Sequence, residues 1–203
     1  LENTKDLPPD IALADLRKQF PKLIFEISRP IHPEAGYLQS FPFDENKREF
    51  VDGNIPPPDF NAIQLVEGSK LGAEPNTYSR YMAIQLARLA DTGVAKGAPV
   101  AALGSSYSRL PHGQEVGYPR TYLYLKQRKT LEQVTADDIA AAVRGQHFLV
   151  TNGPILLFDA LDLEAREFRI APGSILDSST TDIVRIRAQV LAAPWVTLQG
   201  INT

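Results

Sequence analysis

The residues that most resemble a chemical site lie in Gly104-Ser-Ser-Tyr-Ser-Arg109, directly after the apolar run 100–103. A buried strand that opens into small polar residues ends in a loop at the mouth of an α/β layer, where chemistry is usually carried. This loop offers a phenol, Tyr107, and a guanidinium, Arg109. Neither is a usual metal ligand or nucleophile, but a permanently protonated guanidinium holds anions through paired charge-assisted hydrogen bonds. Ser105, Ser106 and Ser108 stand beside them without a histidine at a fixed spacing to serve as base. His112, three residues past Arg109, is a candidate metal ligand that would slide along its loop, and His32 in Arg29-Pro-Ile-His-Pro33 is another. For both, a solvated or hydrogen-bonded loop histidine is the plainer alternative, and His147 beside a strand start reads as structural. Arg120, within Gly117-Tyr-Pro-Arg-Thr121, is a candidate for a substrate anion or for pairing with a buried acid or loop carbonyl. No catalytic residue is assigned, and neither a phosphate-cradling glycine loop nor a dinucleotide fingerprint occurs.

Positioning these groups falls to alternating elements. Asp10 can cap a helix with Ile11, Leu13, Leu16 and Phe20 on one face, ended by Pro21. A strand at 23–27 leads into the loop 28–33, and residues 34–59 form a long excursion of Gly, Pro and charge. A strand at 62–66 precedes a helix at 77–92, read from Tyr78, Met82, Leu86 and Leu89 and closed near Gly93. Strands at 100–103 and 118–125 follow. Thr135-Ala-Asp-Asp138 is a capping box with Asp in place of Glu, opening a helix that Gly145 closes. Strands at 148–150 and 155–158 flank Thr151-Asn-Gly-Pro154. Beyond Asp159 only strands are expected, at 167–170, 183–190 and 195–198, so the reading divides the chain into an α/β portion, 1–158, and the start of a β-sheet appendage, 159–203.

The 203 residues are 43% hydrophobic and 22% charged, which suits a soluble globular chain. A net charge of -3 with scattered Lys and Arg gives no reason to expect nucleic acid. No apolar run approaches the roughly 18 to 20 residues of a membrane span. The lack of cysteine excludes disulfides, thiolate catalysis and Cys-zinc sites. Leu1 at the start and a strand running into the last residues suggest a fragment, whose strand edges a second copy or missing chain would cover.

A strand, the Gly104–Arg109 loop, Val116-Gly-Tyr-Pro-Arg-Thr121, a helix ending Ala142-Val-Arg-Gly145 and then Phe148-Leu-Val-Thr-Asn-Gly-Pro154 follow in fixed order. In this order the chain resembles the C-terminal half of PHP-type metal-dependent hydrolases, in their carbaryl-hydrolase-like branch, over residues 9–198. The resemblance implies an α/β fold: the C-terminal portion of a distorted PHP-type α/β barrel, followed by a small all-β, sandwich-like appendage. It also implies ester or phosphoester hydrolysis with divalent zinc, manganese or iron, which lowers the pKa of bound water and polarises the bond to be cleaved. The family's first ligand groups would lie upstream of Leu1. Of those expected here, a Gly-x-Ser-Asp-Ser-His loop corresponds to Gly104–Arg109, with Tyr107 at the aspartate and Arg109 at the histidine. An Asn-His-Pro corresponds without a gap to Ser28-Arg29-Pro30, placing Arg29 on the histidine; a shifted register places His32-Pro33 there instead. Glu67-Gly68 stands where Asn-Gly is usual.

Three expectations result. The chain is a hydrolase-like domain that is catalytically degenerate, with metal only at His32 or His112 if the site survives. Alternatively it is a binding module in which Arg29, Tyr107, Arg109 and Arg120 hold a small anionic molecule, or it is one piece of an active enzyme completed by upstream chain.

Overall fold

A computed structural model of the chain describes residues 7–34, 36–57, 59–68, 75–90, 99–108, 116–125, 130–162, 173 and 184–194. Helix α1 (Pro9–Gln19) starts on a proline, whose fixed φ suits the first helical position and whose missing N–H would have had no partner there. Pro8 is the cap residue, with no side-chain cap, so Asp10 serves the first turn through the helix dipole instead. Strands β1 (Glu26–Ile27), β2 (Phe43–Asp44), β3 (Glu49–Phe50) and β4 (Ala62–Glu67) come next, followed by α2 (Pro75–Ala90) and β5 (Ala101–Ser105). Then come β6 (Arg120–Leu123), α3 (Ala136–Arg144), β7 (Phe148–Thr151), β8 (Ile155–Asp162) and β9 (Val184–Leu191).

The centre is a parallel sheet in the order β1-β4-β5. Because side chains alternate across a strand, its two faces carry different cores. Ile27, Ile63 and Val100 pack with Tyr37, Leu38, Phe50, Phe60 and Ile84. On the other face Ala62 and Ala101 meet Val143 of α3, flanked by Leu103, Leu123 and Phe148.

Residues 34–59, expected as a plain loop, contain the β2-β3 hairpin and two short 3-10 turns, and contribute three of the buried residues just named, Tyr37, Leu38 and Phe50, with Phe60 beside them. Arginines hold this excursion by donating to backbone oxygens. Arg80 Nη1 reaches Leu38 O at 2.7 Å and Phe41 O at 3.1 Å, and Arg17 Nη2 reaches Asp59 O at 2.9 Å. Burial pushes the Tyr37 phenol up to about 12.

The expected C-terminal portion of a distorted α/β barrel is corrected by this topology. Among the described residues the strands form the three-stranded parallel sheet and three separate two-stranded antiparallel sheets, β2-β3, β6-β7 and β8-β9, with no closed barrel. The reason is local: the Thr121 hydroxyl both accepts from Gly104 N at 2.9 Å and donates to Gly104 O at 3.2 Å. It takes up the edge groups of β5 that a continuing ladder would use, so β6 lies against β5 without extending the sheet. The appendage is likewise reduced, among the described residues, to one antiparallel pair in which Ile155 faces Leu191 and Asp162 faces Val184. The strands expected at 167–170 and 195–198 lie outside the described residues.

The capping box forms as read. Asp138 N donates to Thr135 Oγ1 at 3.2 Å while Asp138 Oδ2 accepts from Thr135 N at 2.9 Å. Thr135→Ala removes one half of this exchange, and thermal unfolding should show a loss of about 1 kcal/mol.

Candidate functional site

At the C-terminal ends of β1, β4 and β5, three chain segments converge on Arg29. The register of β4 on β5 runs Gln64 to Leu103, then Val66 to Gly104 and Glu67 to Ser105, so Leu65 is the extra residue of a bulge. Two residues three apart would otherwise point to opposite faces; the bulge puts Gln64 and Glu67 on the face of Leu103 and Ser105. Both reach Arg29. Gln64 Oε1 accepts from Arg29 N at 3.0 Å, and Glu67 Oε2 lies 3.8 Å from Arg29 Nε.

From the other side, Arg29 Nη1 donates to the Tyr107 hydroxyl at 3.2 Å, and Arg29 Cζ stands 5.2 Å from the centre of the Tyr107 ring. Arg29 and Tyr107 both have positive φ, 48° and 50°. Left-handed backbone at two non-glycine residues costs on the order of 1–3 kcal/mol each and persists where surrounding contacts over-determine it. Here those contacts are the Arg29–Tyr107 pair, the bonds of Arg29 to Gln64 and Glu67 of β4, and the bond from Tyr107 N to Ser105 of β5. The guanidinium is thus held by Nε and Nη1, while Nη2 makes no hydrogen bond or ion pair among the described residues.

Gly68 brings the loops together. Its N–H donates to Ser105 O at 3.0 Å, and a Cβ there would overlap Ser106 O and lie 2.6 Å from Tyr118 O. The Ser105 hydroxyl oxygen accepts from Tyr107 N at 3.3 Å. Arg120, at the start of β6, has its Nε buried without a hydrogen-bond partner, and its guanidinium lies 5.6 Å from the centre of the Tyr122 ring. Gln64 Nε2 and Ser108 Oγ are also buried without partners, Gln64 being 3% exposed.

Of the expected site residues, Arg29 and Tyr107 are therefore brought into contact, and Arg120 opens the neighbouring strand. Arg109 and His112 lie outside the described residues. His32 sits one turn further along the loop after β1, its N–H donating to Arg29 O at 3.0 Å and its Nδ1 accepting from Glu34 N at 3.3 Å. Among the described residues no three His, Cys, Asp or Glu side chains gather as a metal cluster. In the ungapped register the described groups that the resemblance places at ligand positions, Arg29 and Tyr107, do not suit a divalent ion: a guanidinium has no lone pair to give, and a phenol is a poor donor. Gln64 and Glu67 were not singled out as Arg29 partners from sequence. Their signal was present, since Gln64 is the one polar residue inside the run Ala62-Ile-Gln-Leu-Val66. Among the described residues no helix is long and apolar enough to cross a membrane.

A scan against protein-family models found no matching family, and neither the curated proteins nor the solved structures gave a match.

Proposed function

We propose that this chain is a PHP-hydrolase-like domain that no longer performs metal-dependent hydrolysis and instead holds a small anion, a carboxylate or phosphate, at the ends of β1, β4 and β5. The observation that carries the reading is Arg29 itself. Its guanidinium is fixed by Glu67 and Tyr107 yet keeps Nη2 uncommitted, the arrangement from which a bidentate anion contact is made at little entropic cost. The resemblance in motif order supports the ancestry, and the replacement of ligand positions by Tyr107 and Arg29 supports the loss of metal chemistry.

The test is thermal unfolding with acetate, propionate and inorganic phosphate. A ligand at a hundred times its Kd adds about 2.7 kcal/mol, which for a chain of this size raises Tm by roughly 5–10 °C. Arg29→Ala should remove the rise, and Arg120→Ala should reduce it. Near-stoichiometric zinc, manganese or iron in the purified protein, or a metal-dependent esterase activity, would overturn the proposal.

A further inference from the structure

We infer that the groove between helix α2 and the β2-β3 excursion docks a second copy of this chain, forming a two-fold dimer. The groove is open, with a volume of about 570 Å³, and its apolar lining is Phe50 of β3, Ile55, and Ala83 and Ala87 one turn apart on α2. Leu86 also lines it yet is 61% exposed, so its side chain stands out of the groove rather than filling it. From Leu86 the apolar surface continues along the helix through Met82 and Tyr78, both exposed and spaced four residues apart on one side of α2. A contiguous row of exposed apolar side chains beside a groove marks a contact surface, which scattered single ones do not.

Two features select the same chain as the occupant. The first is shape: a protruding Leu86 flanked by Ala83 and Ala87 puts a knob beside a hollow on one surface. Turned about a two-fold axis, each Leu86 meets the alanines of the other helix, and both knobs are seated at once. The second is charge. Lys47 is paired with Asp44 at 4.0 Å and Glu49 at 3.9 Å, whereas Arg48 and Asp52, which also line the groove, make no ion pair or side-chain hydrogen bond among the described residues. In an isologous interface a contact between two positions is made twice, so one uncommitted cation and one uncommitted anion on a single chain become two ion pairs. Pairs at such a rim fix register and steer encounter, and the apolar stripe supplies the affinity.

Sedimentation velocity of the full chain from about 1 µM to about 1 mM, the span suited to a small interface, should show the mass rise from 22.4 kDa to twice that value and no further. Leu86→Arg should stay monomeric throughout, with the melting temperature of the dilute wild type, because this side chain is already exposed in the single chain. Arg48→Asp and Asp52→Lys should each weaken dimerisation by about tenfold or more, since like charges then face each other across the axis. Mixed in equal amounts the two variants should associate as strongly as the wild type, because opposite charges again meet in both pairs. That rescue also shows that neither variant is misfolded. A monomer at every concentration would overturn the inference and leave the groove to a different occupant. So would a dimer that survives Leu86→Arg, growth beyond the dimer, or a mixture that associates no more strongly than its components.

Discussion

Phe60→Ala is expected to lower unfolding free energy by about 3–5 kcal/mol, the cost of deleting a fully enclosed aromatic side chain. Phe60 is 1% exposed, and its ring stands edge-on to Tyr37 at 5.9 Å with Arg88 Cζ 4.7 Å from its centroid. It belongs to the same cluster as Leu38, Ile63, Ile84 and Val100. Its neighbour Asn61 ties together the starts of all three parallel strands. Asn61 Oδ1 accepts from Phe25 N at 3.1 Å, Asn61 N donates to Phe25 O at 2.9 Å, and Asn61 O accepts from Ala101 N at 2.8 Å. Truncating the ring would empty the space beneath that junction, where Tyr37 and Arg88 cannot collapse together without giving up their own contacts. Domains are stable by only about 5–15 kcal/mol, so the urea midpoint should fall by a large fraction of its value. Phe60→Leu should lose less than half as much, and a Phe60→Ala loss below about 1 kcal/mol would contradict the packing described.

Features written in a few adjacent residues were the ones that could be read in advance. The α3 capping box needs only Thr135 and Asp138, and both of its halves form. The parallel strands were legible as short apolar runs, because a strand buried on both faces needs apolar residues throughout. Helix α2 was legible as a helix but not in its orientation. Tyr78, Met82 and Leu86, whose spacing identified it, are 53%, 36% and 61% exposed, whereas Thr77 and Ile84 are buried. The helix carries two candidate stripes, and the face that packs was decided by the excursion 34–59, whose composition concealed its contribution to the core. The barrel failed for a reason that no strand pattern contains. Closure depends on ladder groups at the edge of β5, and the Thr121 hydroxyl occupies those of Gly104.

The site was legible in its residue types and not in its wiring. Arg29 and Tyr107 could be placed at strand ends from the runs that precede them, and their meeting across 78 residues of chain needed the sheet order β1-β4-β5. Glu67 joins them only because Leu65 bulges. A one-residue bulge reverses every side chain beyond it and leaves no trace in hydrophobic periodicity over so short a strand.

Gly68→Ala is expected to abolish anion binding while leaving the secondary structure in place. The added Cβ would overlap Ser106 O and lie 2.6 Å from Tyr118 O. Both are backbone atoms, so no rotamer change relieves the clash and the loops after β4 and β5 must move apart. Gly68 directly follows Glu67, and Ser106 directly precedes Tyr107. A shift of either segment therefore separates the carboxylate and phenol that hold Arg29, and misplaced charge-assisted contacts lose most of their strength within a fraction of an ångström to a few ångströms. Overpacking of this kind costs about 1–3 kcal/mol of stability, so the variant should still fold, with a far-ultraviolet circular dichroism spectrum like that of the wild type. Its affinity for acetate or propionate should fall by more than tenfold. Gly53→Ala is the matched control. Gly53 has φ of 67° and nothing within 4 Å of its Cβ position, so alanine there strains the backbone without touching any neighbour. That substitution should lower Tm through the strain and leave affinity unchanged. If Gly68→Ala binds as the wild type does, the convergence of the β4 and β5 loops is not what holds the site together, and Arg29 must be positioned by the β1 loop alone.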